Sequence, residues 1–246
     1  MAYYRTRSIV LKSRNLGEAD RVLVIFSEDY GKFEAVVKGA RRPRSRFIGN
    51  TLPFNLINGL FFPGKNMYQL SQAELIHSFS VLREDLTKLA YASNWAELVN
   101  ELVPEREEVS ELFRFLLAAF ITLEQTQQPL IVHLAFLIRL LNYLGYNPEL
   151  DCCLGCNATS SDHWYFSVAA GGIVCPNCCG QYRDQHVIPV AEIDFLKYLL
   201  TTDLRKLEPD VHEVRLSSVH QKLRDFIEAR LDHPLKSQLF LDNLLG

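Results

Sequence analysis

Over the first 78 residues the apolar positions fall in short runs rich in Ile, Val, Leu and Phe, with no helical period. The runs cover 7–12, 21–26, 33–37 and 56–62, and 67–75 alternates more loosely. Turn signals separate them at Asn15 to Gly17, Asp29 to Gly31, Lys38-Gly39 and Pro63-Gly64. Five short strands in so little chain predict a small closed or half-closed barrel. An SH3-like barrel or an open meander fits the same pattern.

The period changes near residue 81. Leu82, Leu86, Leu89, Ser93, Ala96, Val99 and Val103 keep a three-four spacing, which predicts one buried helical stripe ended by Pro104. Val109, Leu112, Leu116, Ala119, Phe120 and Leu123 form a second stripe. Residues 130–144 are apolar nearly all round, as in a central bundle helix, and Gly145 with Pro148 stops them. Helical spacing is lost over 149–182. It resumes at Ile193, Leu196, Leu199 and Leu200, then at Val219, Leu223, Phe226 and Ile227, and a short amphipathic segment spans 235–245. The expected organisation is a multidomain α+β chain: a barrel over 1–80, then a helical domain over 81–246 with an insert at about 149–182.

Composition supports folding throughout. The 246 residues are 48% hydrophobic and 22% charged, which excludes extensive disorder. No apolar run reaches the ~18 residues of a membrane span. The densest stretches, 112–123 and 129–141, are interrupted by Arg114, His133 and Arg139. No apolar leader precedes a cleavage site, so a cytoplasmic location is expected. The net charge of −3 hides a split. Residues 1–80 hold 12 Lys and Arg against 6 Asp and Glu; the remainder holds 14 against 23. The barrel is the block suited to a polyanion.

All six cysteines lie in the insert, as Cys152, Cys153 and Cys156, then Cys175, Cys178 and Cys179. Cys153-Leu-Gly-Cys156 and Cys175-Pro-Asn-Cys178 are two Cys-x-x-Cys turns, and such a pair presents four thiolates to one Zn²⁺. Gly171-Gly172 lets the backbone double back before the second turn. Four thiolates leave no open coordination position, so the expected zinc is structural. Cys152 and Cys179 are surplus, and either is close enough in sequence to substitute for its neighbour. A thiol redox role is a weaker reading without a βαβ context.

Lys38, Arg41, Arg42, Arg44 and Arg46 place five cations in nine residues without an acid, and Gly39 and Pro43 make that stretch a loop. Arginine forks match phosphate, so the loop reads as a nucleic-acid contact. Lys12, Arg14 and Arg21 flank strand ends and extend the candidate face. Phe47, Phe54, Phe61 and Tyr68 are either base-stacking rings or core, and strand spacing favours core. His133 reads as a core histidine, and Glu105, Glu107, Glu108 and Glu111 as the solvated start of a helix. Phosphate-loop, dinucleotide and zinc-protease signatures are absent, so no catalytic machinery is named.

These pieces, in this order, resemble the bacterial RecO family of DNA repair proteins. The resemblance is carried by Ile9-Val-Leu-Lys12, Leu16-Gly-Glu-Ala-Asp20-Arg21, Tyr30-Gly-Lys32, Lys38-Gly-Ala-Arg41-Arg42 and Arg44-Ser-Arg46. It continues through Gly145-Tyr-Asn-Pro148-Glu-Leu-Asp151, the two Cys-x-x-Cys turns, Phe166 and Gly171-Gly172. Leu235-Lys236-Ser237 is similar to the family's closing Leu-Lys-Ser-Arg, with Gln238 in place of arginine. The resemblance implies an N-terminal OB-fold followed by a helical domain carrying a zinc finger, with Cys153, Cys156, Cys175 and Cys178 as ligands. It implies a recombination mediator, not an enzyme. Such a protein binds single- and double-stranded DNA at the 38–46 loop, anneals complementary strands and helps load recombinase in the RecF pathway, placing it with the nucleoid. The implied partners are RecR and the acidic tail of single-strand binding protein, and that tail requires a local apolar groove with a few cations in the acidic helical block. A zinc-ribbon or OB-type RNA-binding or translation factor is the alternative.

Overall fold

The computed structural model describes residues 3–105, 109–208, 214–231 and 233–245. Glu107 and Glu108, expected at a helix start, lie outside the described residues. The strands are β1 (Tyr4–Leu16), β2 (Asp20–Ser27), β3 (Gly31–Val37), β4 (Leu56–Phe62) and β5 (Tyr68–His77). The helices α1 (Ser80–Glu84), α2 (Leu86–Leu102), α3 (Ser110–Gln125) and α4 (Pro129–Tyr143) follow. Then come β6 (Trp164–Ser167), β7 (Gly172–Val174), α5 (Pro176–Cys179), β8 (Gln185–Ile188), α6 (Val190–Thr201), α7 (Leu216–Glu228) and α8 (Lys236–Leu245). Packing divides the chain into two compact units, 1–125 with 235–246, and 126–234.

In the first unit the five strands close in the order β1-β2-β3-β5-β4, with β4 back on β1. Only β3 and β5 run parallel. This is a five-stranded OB-type barrel, and the open-meander alternative is excluded. Closure rests on the 13-residue β1, which pairs β2 along one edge and β4 along the other and bends at an irregularity between Val10 and Lys12. Inward positions recur every second residue: Leu23 and Ile25, then Phe33, Ala35 and Val37, then Ile57 and Phe61. Phe47, Phe54 and Phe61 are buried and Tyr68 packs on the barrel core, so these rings are core.

The helix stripe expected over 82–103 is broken. Asp85 adopts an extended backbone and its carboxylate accepts the Lys88 N–H, ending α1 and capping α2. The break turns Leu86 outward, and it is mostly exposed. Around Phe120 of α3 pack Phe54, Phe79 and Trp95, with ring centroids 5.6, 5.7 and 6.0 Å away. Phe54 and Phe79 hold left-handed backbones, φ 71° and 46°, which dense packing must over-determine. α8 docks on α2, where the Glu97 carboxylate accepts the N–H groups of Lys236 and Ser237.

The second unit is built on α4, whose residues 131–138 are all buried, with α6 and α7 against it. His133 is fully buried, its Nε2 3.3 Å from Nε2 of His220. Burial, then His220, pushes its pKa well below the usual imidazole range. The core reading holds. Arg139 closes the end of α6, donating to the carbonyls of Leu199 and Thr202. A three-stranded antiparallel sheet, β7-β6-β8, begins in the expected insert and extends beyond residue 182 to Ile188, and the sequence pattern does not reveal it.

Candidate metal centre and cationic loop

Cys153, Cys156, Cys175 and Cys178 come together from two turns, with all four Sγ atoms within 4.8 Å of one another. The first turn closes when Asn157, at φ 59°, donates its N–H to the Cys153 carbonyl. The second is the start of α5, with Pro176 at its first position and the Cys178 and Cys179 N–H groups bonded to the Cys175 carbonyl. The N–H groups of Gly155 and Cys175 point at Cys153 Sγ, 3.4 and 3.3 Å away. Gly155 has no tolerance here: a Cβ would sit 2.8 Å from Cys178 Sγ. Between the turns, Gly172 lets the chain at Glu149 press on β7, since a Cβ there would meet the Glu149 carbonyl at 2.8 Å.

The donor set fits a tetrahedral thiophilic ion. Metal–sulfur bonds of about 2.3 Å put tetrahedral sulfurs about 3.8 Å apart. Cys156 Sγ and Cys175 Sγ stand 3.8 Å apart. Burial pushes the Cys153 thiol up, but the Cys175, Cys156 and Gly155 N–H groups together outweigh it and hold it at about 6. Cys178, hydrogen-bonded first to the Cys156 thiol and partly desolvated, is pushed up to about 12. The surplus cysteines are turned to other partners. Cys152 lies by Glu149, where burial and then that carboxylate raise its thiol, and Cys179 Sγ donates to the Pro176 carbonyl. With four sulfur donors the coordination sphere closes, so the arrangement can brace the insert and offers no position for substrate.

Lys38, Arg41, Arg42, Arg44 and Arg46 are all exposed. The loop is nevertheless pinned to the β1–β2 turn. Asp20 accepts the Gly39 N–H at 2.7 Å, which chiefly holds its carboxyl below the usual range, and lies 3.5 Å from the Lys38 ammonium. The Arg41 N–H donates to the Ala19 carbonyl and its guanidinium to the Gly17 carbonyl. Arg46 crosses to β5, donating to the Ser71 carbonyl.

The flanking cations have different neighbours. Arg14 is paired with Glu34 at 2.9 Å, and Arg21 donates to Thr51 Oγ1. Lys12 borders a cavity of about 360 Å³ among β1, α2 and α8, walled by Leu11, Pro53, Phe54, Leu89 and Ala96. Arg83 and Lys236 line the same cavity and are missing from the sequence-derived candidates. The closing Leu235-Lys236-Ser237 motif was the available signal for Lys236; Arg83 had none.

Among the described residues, no helix is long and apolar enough to cross a membrane. The family model described as "Recombination protein O N terminal" matches residues 1–79, and "Recombination protein O C terminal" matches 83–239. The chain is 36% identical to a protein from Symbiobacterium thermophilum named "DNA repair protein RecO", over 99% of this chain and 98% of the other. It is 34% identical to the protein of that name from Thermoanaerobacter sp., over 99% of both, and 33% identical to that from Shouchella clausii, over 96% and 93%. The chain therefore belongs to the RecO family of DNA repair proteins.

Proposed function

We propose that this protein is a DNA-binding recombination mediator without turnover of its own. Residues 1–80 form the DNA-binding barrel and 81–246 the helical domain, with a finger at about 149–182. Lys38, Arg41, Arg42, Arg44 and Arg46 bind the phosphates of single- and double-stranded DNA, with Lys12, Arg14 and Arg21 as flanking cations. The bound strands are annealed, and recombinase is loaded onto strands coated by single-strand binding protein in the RecF pathway, together with RecR. One structural Zn²⁺ sits on Cys153, Cys156, Cys175 and Cys178, and the protein works at the nucleoid in the cytoplasm. The acidic, apolar-ended tail of single-strand binding protein docks in a local apolar groove with a few cations in the helical domain.

The observation that carries this reading is the cationic loop, anchored to the β1–β2 turn through the Gly39 and Arg41 N–H groups, with all five of its cationic side chains exposed even where Lys38, Arg41 and Arg46 also touch Asp20, Gly17 and Ser71. Membership of a DNA repair family does not favour the RNA-binding alternative. The double substitution Arg41→Ala with Arg42→Ala is expected to weaken binding to unrelated DNA sequences about equally, since phosphate contacts carry no base code. The dependence of log affinity on log salt should become shallower by up to about 1.4 on single strands, two contacts at about 0.7 each. Fluorescence anisotropy at several salt concentrations checks this, alongside annealing of complementary strands coated with cognate single-strand binding protein. Unchanged affinity and slope would move DNA binding off the loop.

A further inference from the structure

The barrel carries a second polar feature, on the outer face of β1, β4 and β5. Register places Arg5, Leu60 and Gln72 in one cross-strand row and Asn58 and Glu74 in the next. Successive rows two residues apart share a face, so Arg5, Asn58, Gln72 and Glu74 converge there. Arg46 arrives from the cationic loop. Together they line a cleft of about 180 Å³, below the ~300 Å³ of ordinary small-molecule sites. Arg5 stands 3.5 Å from Gln72 Oε1, and among the described residues none of Arg5, Arg46 and Glu74 is held in an ion pair. Arg46 is an exposed residue that lies over the buried Phe47 ring, its Cζ 5.1 Å from the centroid, with one guanidinium nitrogen donating to the Ser71 carbonyl.

The mixture of groups is wrong for a bare phosphate, because Glu74 would repel it. It is right for an unpaired base, whose edges carry both donors and acceptors. The Arg46 plane, braced by Phe47, is a stacking platform of the kind used for unpaired bases. Guanine matches the rest: its O6 and N7 accept from an arginine, while its N1–H and N2–H₂ donate to a carboxylate. Adenine and cytosine offer the carboxylate a single amino group, and thymine one imide N–H.

We propose that this cleft is a single-base subsite preferring guanine in single-stranded DNA, with Glu74 and Arg5 reading the base and the face of the Arg46 guanidinium stacking on it while its edge keeps the phosphate contact of the loop. The proposal rests on DNA binding at the adjoining loop and adds base preference to it. The test uses the full chain and oligothymidylate of about 20 nucleotides, with and without three isolated guanosines, followed by anisotropy. The guanosine-bearing strand should bind at least about fivefold tighter, within the range of one good bidentate base contact. Inosine, which lacks the N2 amino group, should lose most of that gain. Glu74→Gln should bring the ratio of the two affinities to near one while keeping oligothymidylate binding, and Arg5→Ala should also lower the ratio. Arg41→Ala with Arg42→Ala should weaken both strands and leave the ratio intact. Equal binding of the two strands by the unsubstituted protein, or a ratio that survives Glu74→Gln, overturns the subsite alone. Failure to bind either strand overturns the DNA-binding reading and the subsite with it.

Discussion

Cys153→Ser and Cys178→Ser are each expected to abolish the zinc binding proposed for the four-cysteine cluster and to unfold the turns around it. Structural zinc sites in small peptides contribute apparent binding energies of about 10–16 kcal/mol near neutral pH, and much of that is folding energy of the segment itself. Regular structure in the insert is short, with strands of four and three residues and a helix of four, and beside the metal cluster it is held by a small buried core of Trp164, Phe166, Ile173 and Val174. Ligand loss should therefore appear as zinc content falling from one per chain to none, with proteolytic cleavage opening within 149–182. Cys152→Ser and Cys179→Ser should keep the metal, because their thiols are turned to Glu149 and the Pro176 carbonyl. Gly155→Ala keeps all four cysteines but would place a Cβ 2.8 Å from Cys178 Sγ, so that turn must shift and metal should be held more weakly. Lowering the pH should also release metal, since protons compete for thiolates. Loss of zinc from Cys152→Ser or Cys179→Ser, with retention in Cys153→Ser, would overturn the ligand set.

The barrel and the metal cluster were legible in the sequence for different reasons. Each barrel strand has a buried inner face, so alternation such as Leu23, Ile25 and Phe33, Ala35, Val37 is imposed by packing and shows in the pattern. The Cys-x-x-Cys turns are legible because tight spacing alone fixes their geometry. What failed to show either turns on a local cap or a very short strand, or depends on partners far along the chain. Leu86 keeps the helical spacing of its neighbours, yet Asp85 caps α2 and rotates it into solvent. Strands as short as β7 carry too few positions for any period. The cavity bordered by Lys12 joins residues from β1, α2 and α8, the last more than 200 positions from the first. Arg5, Asn58 and Glu74 meet only because the barrel closes β4 onto β1. Single residues in a polar alternation give no sign of that meeting.

Stability of the second unit should depend on one buried ion pair. Lys222 on α7 and Glu192 in the first turn of α6 are 3.0 Å apart, their side chains 8% and 2% exposed. Ser218, one turn before Lys222, accepts from its ammonium at 2.6 Å and donates to Glu192 Oε2 at 3.3 Å. Removing one partner leaves the other charge desolvated, so Glu192→Ala is expected to cost about 3–5 kcal/mol. That is a large share of the ~5–15 kcal/mol that holds a typical protein folded. Replacing both residues by methionine removes both charges at similar volume and should cost far less, or nothing. The double substitution thus separates an uncompensated charge from lost packing. Urea unfolding of the zinc-loaded protein, followed by circular dichroism, measures both variants under one set of conditions. The expected result is a midpoint well below that of the unsubstituted protein for Glu192→Ala and a largely restored midpoint for the double variant. If Glu192→Ala costs less than about 1 kcal/mol, water reaches the pair and it is not a buried linkage between α6 and α7.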